Sequence, residues 1–214
     1  MRVKDWLKTA AIHGLSAIGG SIMYSVMMYM MRVEESLADT LEIAVVYLLT
    51  FGSFMSVVLM LSVQKQNLPL ALSFGATRKE AFCGMQCYRL TYLVLVLAAA
   101  AAMLLLTDQE GREAAWIYLV VGGSLILIFG SAGAAMGIVG IKYGKGAMAA
   151  MGVLMGVLTV GTIIGLVFAI MAVIETDSAF LGMGALALPL VAVAAYIGSM
   201  AAEYRMIRTY NVML

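Results

Sequence analysis

Residues 114–141 read AAWIYLVVGGSLILIFGSAGAAMGIVGI, with no Asp, Glu, Lys or Arg between Glu113 and Lys142. A helix needs about 20 mostly apolar residues to cross a bilayer, so this stretch alone is long enough. Charge-free stretches recur at 9–31, 43–64, 90–107, 146–174 and 178–202. Across 214 residues, 64% are hydrophobic and 12% charged, against roughly 45–50% and about 25% in an ordinary soluble domain. These values exclude a water-soluble fold. The period-2 alternation of a membrane barrel is missing, so the spans are expected to be helices. The expected fold class is all-α: a polytopic membrane protein, one transmembrane domain over 1–214, with six helices at about 9–31, 43–63, 84–106, 115–140, 147–174 and 179–202. Six crossings take roughly 120 residues, and no connection between them is long enough for a soluble domain.

Basic residues sort by side. Arg2, Lys4 and Lys8 precede the first span; Lys65, Arg78, Lys79 and Arg89 follow the second; Lys142 and Lys145 follow the fourth; Arg205 and Arg208 follow the sixth. Only Arg32 and Arg112 fall elsewhere. Short basic loops stay cytoplasmic, so both termini are expected inside, with the chain in the plasma membrane. Acidic residues mirror this: Glu34, Glu35, Asp39, Glu42, Asp108, Glu110, Glu113, Glu175 and Asp177 lie outside, and only Asp5, Glu80 and Glu203 inside. The formal charge of +1 therefore conceals a strong separation. The apolar run of the first span exceeds the roughly 7–15 residues of a signal peptide, and no A-x-A-like site follows, so this span is expected to be retained.

The charge-free interior argues against proton or sodium coupling, because ion-coupled carriers usually place ionisable groups there at about 2.5–3.5 kcal/mol each. His13 sits about one turn into the first span with no acid near it in sequence, which suits an interfacial or packing role better than a relay. Cys83 and Cys87 are one helical turn apart; packing is the first reading, with a regulatory disulfide or partial metal site second. The sequence contains no metal-ligand cluster, H-E-x-x-H or G-x-S-x-G, so neither a bound metal nor enzymatic chemistry is expected. Gly144, Lys145 and Gly146 suggest a phosphate loop, but that motif needs Gly where Val139 stands and Ser or Thr where Gly146 stands. No cofactor is therefore expected in this chain, and no nucleic-acid partner.

Small residues let membrane helices approach closely. Gly133 and Gly137 are four apart, as are Gly152 and Gly156, and Gly161 and Gly165. Intramolecular packing is the first reading, with a seam to a second chain as the alternative. Methionines cluster at Met23, Met27, Met28, Met30 and Met31 and at Met148, Met151 and Met155; lipid-facing filler or helix packing is expected before a deformable lining. Pro189 lies mid-span, removes a backbone donor and is expected to kink the last helix, a candidate hinge.

The inside loop 64–83, continuing to Leu90, reads QKQNLPLALSFGATRKEAFCGMQCYRL from Gln64. Pro69 suits the first turn of a short helix, and Gly75 the left-handed position that ends it. Thr77 and Glu80 form T-x-x-E, a capping box for the next helix. That helix is expected to run through Arg89, whose guanidinium would snorkel toward the headgroups. A short helix, a glycine corner and a capped long helix result, with Arg78 and Lys79 exposed. Spacing alone leaves open whether this is a docking knob or a well-capped basic turn.

LPLALSFGATRKEAF, residues 68–82, resembles the L-x-x-G-x-[ST]-R-[KR]-[ED]-x-F loop of membrane subunits of bacterial ATP-binding-cassette (ABC) exporters, in particular the small six-span permeases without an ATPase domain of their own. Macrolide-exporter and cell-division permeases share a similar corner, but have four spans and a large outer domain. The resemblance implies that Leu70, Ala71, Leu72, Ser73 and Phe74 insert as a coupling helix into a partner ATPase, with Gly75, Ala76, Thr77, Arg78, Lys79 and Glu80 forming the corner. It further implies ATP and magnesium on that partner, a second permease copy or paralogue, and an amphipathic elbow helix over 2–8 with Trp6 as interfacial anchor. Many relatives place short helices or a domain outside between the last two spans; here Glu175 to Ser178 leaves almost no connection for such a gate unless the start of the sixth span re-enters. The expected function is export of an amphipathic or apolar cargo such as a peptide, drug or lipid. Rival readings are a self-sufficient carrier or channel, and a membrane-embedded sensor or immunity protein.

Overall fold

The computed structural model describes the backbone of residues 3–31, 37–107, 109–176 and 180–209; the side chains of 109–114 and 154–186, of Lys145 and of scattered positions before residue 43 lie outside that description. The described chain is helical, with no strand among the described residues: α1 (Val3–Met31), α2 (Leu37–Ser62), a π-helical turn (Val63–Asn67), α3 (Leu68–Ser73), α4 (Arg78–Leu104), α5 (Gln109–Thr176) and α6 (Phe180–Thr209). Among the described residues, four stretches are long and apolar enough to cross a membrane: Ile43–Ser73, Arg78–Leu104, Ala115–Gly144 and Ala187–Thr209. The protein is thus all-helical, with the composition of a membrane-embedded chain.

α4 organises the interior. Ala81, Met85, Tyr88, Tyr92, Val96, Ala100 and Leu104 recur every three or four residues, the helical period, and all are buried. The first three join Trp6, Met60, Val63, Leu68, Ala71 and Ile207 in one core cluster. The last four join Ala17, Val45, Leu48, Leu49 and Ile126 in a second cluster. Tyr92 donates its hydroxyl proton to the Gly52 carbonyl at 3.0 Å, pinning α4 to α2. Tyr88 is hydrogen-bonded to His13 Nδ1 at 2.7 Å, which gives His13 a packing role between α1 and α4.

α5 is two limbs. Gly144 takes φ 85° and ψ −176° inside it, a left-handed conformation that L side chains rarely adopt. Beyond the bend Gly140 lies against Met148 and Gly152 against Met136, so the limbs pack side by side. In the first limb Gly133 and Gly137 form the close contact with α2 and the π turn that follows it: a Cβ there would collide with the Val57 backbone and the Gln64 side chain respectively. These two glycines therefore serve intramolecular packing. The packing of Gly156, Gly161 and Gly165 lies outside the described residues, as does the connection between α5 and α6.

Two expectations are corrected. α1 begins at Val3 and is continuous, with no separate elbow helix. Trp6 is 1% exposed and sits against Gly84, whose missing side chain leaves room for the indole, so it is a core residue and not an interfacial anchor. The short helix expected in the loop 64–83 is α3, and the π turn, not expected from the sequence, carries α2 directly into it. α6 runs through Pro189 as one helix. Met23, Met27 and Met30 are exposed on α1, as a lipid-facing role requires.

Candidate functional site

The starts of α1 and α4, α3 and the end of α6 meet at one end of the bundle, where Trp6, Ala71, Ala81 and Ile207 share a core cluster, Arg78 reaches Arg208 and Lys65 lies against Gly140 near the bend of α5; Lys4, Lys8, Lys79, Lys142 and Arg205 are close to these residues in sequence. There the chain forms a sharply defined corner. α3 carries Pro69 in its first turn. Its C-terminus closes with Ala76 N–H donating to the Ala71 carbonyl at 3.0 Å and Gly75 N–H to the Leu72 carbonyl at 3.1 Å. This pair is the Schellman closure, which requires a left-handed residue; Gly75 supplies it at φ +82°. A Cβ at Gly75 would meet nothing within 4 Å, so backbone conformation and not crowding selects glycine.

Thr77 then turns extended and caps α4. Glu80 N–H donates to Thr77 Oγ1 at 3.2 Å, and Thr77 N–H donates to Glu80 Oε2 at 2.8 Å. The Thr77 hydroxyl also donates to that oxygen at 2.9 Å. These bonds, the backbone one foremost, hold the Glu80 carboxyl below its ordinary value. Arg78 Nη1 donates to the Arg208 carbonyl and ties the corner to α6.

The residues of the corner divide by face. Ala71 is buried, and Leu72 and Ala76 pack partly buried against the Trp6 core. Leu70 is 51% exposed and Phe74 77%. Ser73, Gly75, Thr77, Arg78, Lys79 and Glu80 are exposed as well. A large aromatic side chain is thus held outward beside cations, on a backbone closed at both ends.

Directly inside the corner lies a polar network that the charge-free stretches did not reveal. Glu203, on α6, is 0% exposed. It accepts from Gln64 Nε2 at 2.8 Å and from Gln86 Nε2 at 2.7 Å. Tyr196 donates to Gln86 Oε1 at 3.0 Å, and its ring lies 4.6 Å from the Arg89 guanidinium carbon. Arg89 donates to Ser199 Oγ at 2.8 Å, to the Leu127 carbonyl at 3.2 Å and to Ser131 Oγ. Gln64 Oε1 and Arg89 Nε find no partner. Two expectations fall here. Arg89 is 5% exposed and does not snorkel, and the interior is not free of charge. The physical reason is that serines, a carbonyl and a tyrosine ring at this depth offer the guanidinium better partners than a long reach to the headgroups.

The sequence did carry a signal for this network: Gln86 with Arg89, and Tyr196 with Ser199 and Glu203, fall at helical three- and four-residue spacings on their helices. Uncharged stretches, used as span borders, placed Arg89 and Glu203 at the edges and hid that both are buried in one network. Cys83 is exposed and Cys87 partly buried, so only Cys87 packs as expected. Among the described residues no three His, Cys, Asp or Glu side chains are grouped to hold a metal ion. No family model, curated protein or solved structure matches the chain.

Proposed function

We propose that the chain is the membrane subunit of an ABC exporter, with six spans in the plasma membrane and both termini cytoplasmic. It works as a pair with a second copy or a paralogue, and a separate ATPase subunit binds ATP and magnesium. The observation that carries this reading is the rigid corner at the basic end, with Phe74 and Leu70 held outward. Closure of two ATPase subunits would push on this corner and tilt the bundles, opening a path between the permease chains to each side in turn. The cargo is an amphipathic or apolar molecule such as a peptide, drug or lipid. Gly75→Val penalises the left-handed turn, and Arg78→Glu reverses charge where the corner meets α6. Both variants are expected to insert normally in the membrane yet lose transport and co-purification of the ATPase; full activity in both overturns the reading.

A second reading, a self-sufficient carrier, is favoured by the buried Arg89 and Glu203, since intramembrane ionisable groups are costly and usually functional. It predicts solute uptake by the purified chain alone in vesicles carrying a pH gradient. The exporter reading predicts none without the ATPase.

A further inference from the structure

We infer that the π turn Val63–Asn67 is a joint between the corner and the helix bundle, and that Glu203 is its latch. Its role in transport rests on the docking reading; its existence does not. The Leu68 N–H bonds to the Val63 carbonyl, five residues back, where an α-helix would bond four back. Single π turns inside α-helices are rare and concentrate at functional sites. This one joins α2 to α3, so the geometry of one turn decides how the corner is set against α2.

The turn is held from outside itself. Gln64, its second residue, is fully buried and donates to Glu203 on α6. Glu203 is held in turn by Gln86 on α4, and Tyr196 fixes the Gln86 amide with its NH₂ toward the carboxylate. Gly137 of α5 makes room for the Gln64 amide, where any side chain would collide. Thus α5 and α6 meet one residue of the turn directly, and α4 reaches it through Glu203.

The latch is also incompletely satisfied. Gln64 Oε1 is buried without a donor, and an unpaired buried acceptor offsets part of what the Glu203 bond contributes. Rewinding the turn to α-helical bonding would rotate α3 against α2 by up to one residue's worth, about 100°, and carry Gln64 off Glu203. Two packings of one element separated by a modest gap are what transmits a displacement through a packed interior. A push on Phe74 and Leu70 would act on this joint first, and release of Gln64 would free α6 from the turn.

The network makes an asymmetric demand that can be tested. Glu203→Gln keeps the latch, because the unpaired Gln64 Oε1 turns to accept from the new amide while Gln86 still donates to the remaining oxygen. Gln64→Leu and Glu203→Leu break it. Spin labels at Phe74→Cys and Ile197→Cys, both exposed positions, are introduced in the purified full chain with Cys83 and Cys87 replaced by Ser, and the distance distribution is read by electron–electron resonance. The expected result is one narrow population in the parent and in Glu203→Gln, and a second population in Gln64→Leu and Glu203→Leu. Ser199→Ala, which removes an Arg89 partner and leaves the latch intact, should match the parent. If Glu203→Leu does not fold, Gln64→Leu, which removes no charge, carries the test. Unchanged distributions in the leucine variants that fold, or equal broadening by Ser199→Ala, overturn the inference. No ATPase enters the measurement, so its failure leaves the docking reading standing, and loss of docking leaves this result unaffected.

Discussion

Two polar regions touch at the basic end of the bundle and are built in opposite ways. The corner satisfies its backbone through neighbours in sequence, as Ala76 does with Ala71 and Thr77 with Glu80, and it stands exposed. The network inside it joins residues 38 to 139 positions apart, and Glu203, Gln64 and Arg89 are buried in it. Local bonds set the backbone shape that is presented outward, while Ala71, Leu72 and Ala76 seat it on the core. Long-range bonds give a clamp whose every member depends on helices it does not belong to.

If that contrast is right, damage to the clamp should spread and damage to the corner should stay local. The largest effect is expected for Arg89→Ala and Glu203→Ala. Each strands buried polar partners, and roughly 3–5 kcal/mol of stability should be lost, read from denaturant unfolding in detergent. Next is Gly133→Ala, whose new methyl meets backbone at Val57 that cannot yield as a side chain could. About 1–3 kcal/mol is expected from such overpacking, with α2 and α5 separating first by amide hydrogen exchange. Thr77→Ala removes the cap acceptor and should weaken the start of α4 by about 1 kcal/mol, with faster exchange confined to its first turn.

The same cap has a pH dependence. Because the Glu80 carboxyl is held below its ordinary value, its contribution is complete above that ordinary value and is lost as pH falls through the lower one. Exchange at Thr77 N–H, corrected for intrinsic rate, should accelerate over that acid window and not in Glu80→Gln. Smallest in stability is Phe74→Ser, expected within about 0.5 kcal/mol of the parent. If the corner is a docking element, this variant nonetheless loses ATPase co-purification; retention of both would reduce the corner to a capped turn.

The same contrast explains what could be read in advance. Pro69, Gly75, Thr77 and Glu80 each act on residues within one or two turns, so their spacing was enough to place α3, the left-handed corner and the capping box. Gly133 and Gly137 were legible as small residues for close approach, though not their target on α2. Glu203 was not legible, because its meaning depends on Gln64, 139 residues away, and on a π turn that local propensity does not announce. Trp6 misled for a related reason: an aromatic residue beside lysines near a terminus is a common interfacial pattern, and only the contact with Gly84 shows that the ring has somewhere to go.

That burial leaves the protein with a built-in reporter. It has two tryptophans; Trp116 is 56% exposed on the first limb of α5, whereas Trp6 is enclosed beneath the corner. Brominated lipid should quench the first and spare the second. Whatever lifts α3 from its seat would then show as a red-shifted, quenchable emission from Trp6 alone, in the unlabelled chain.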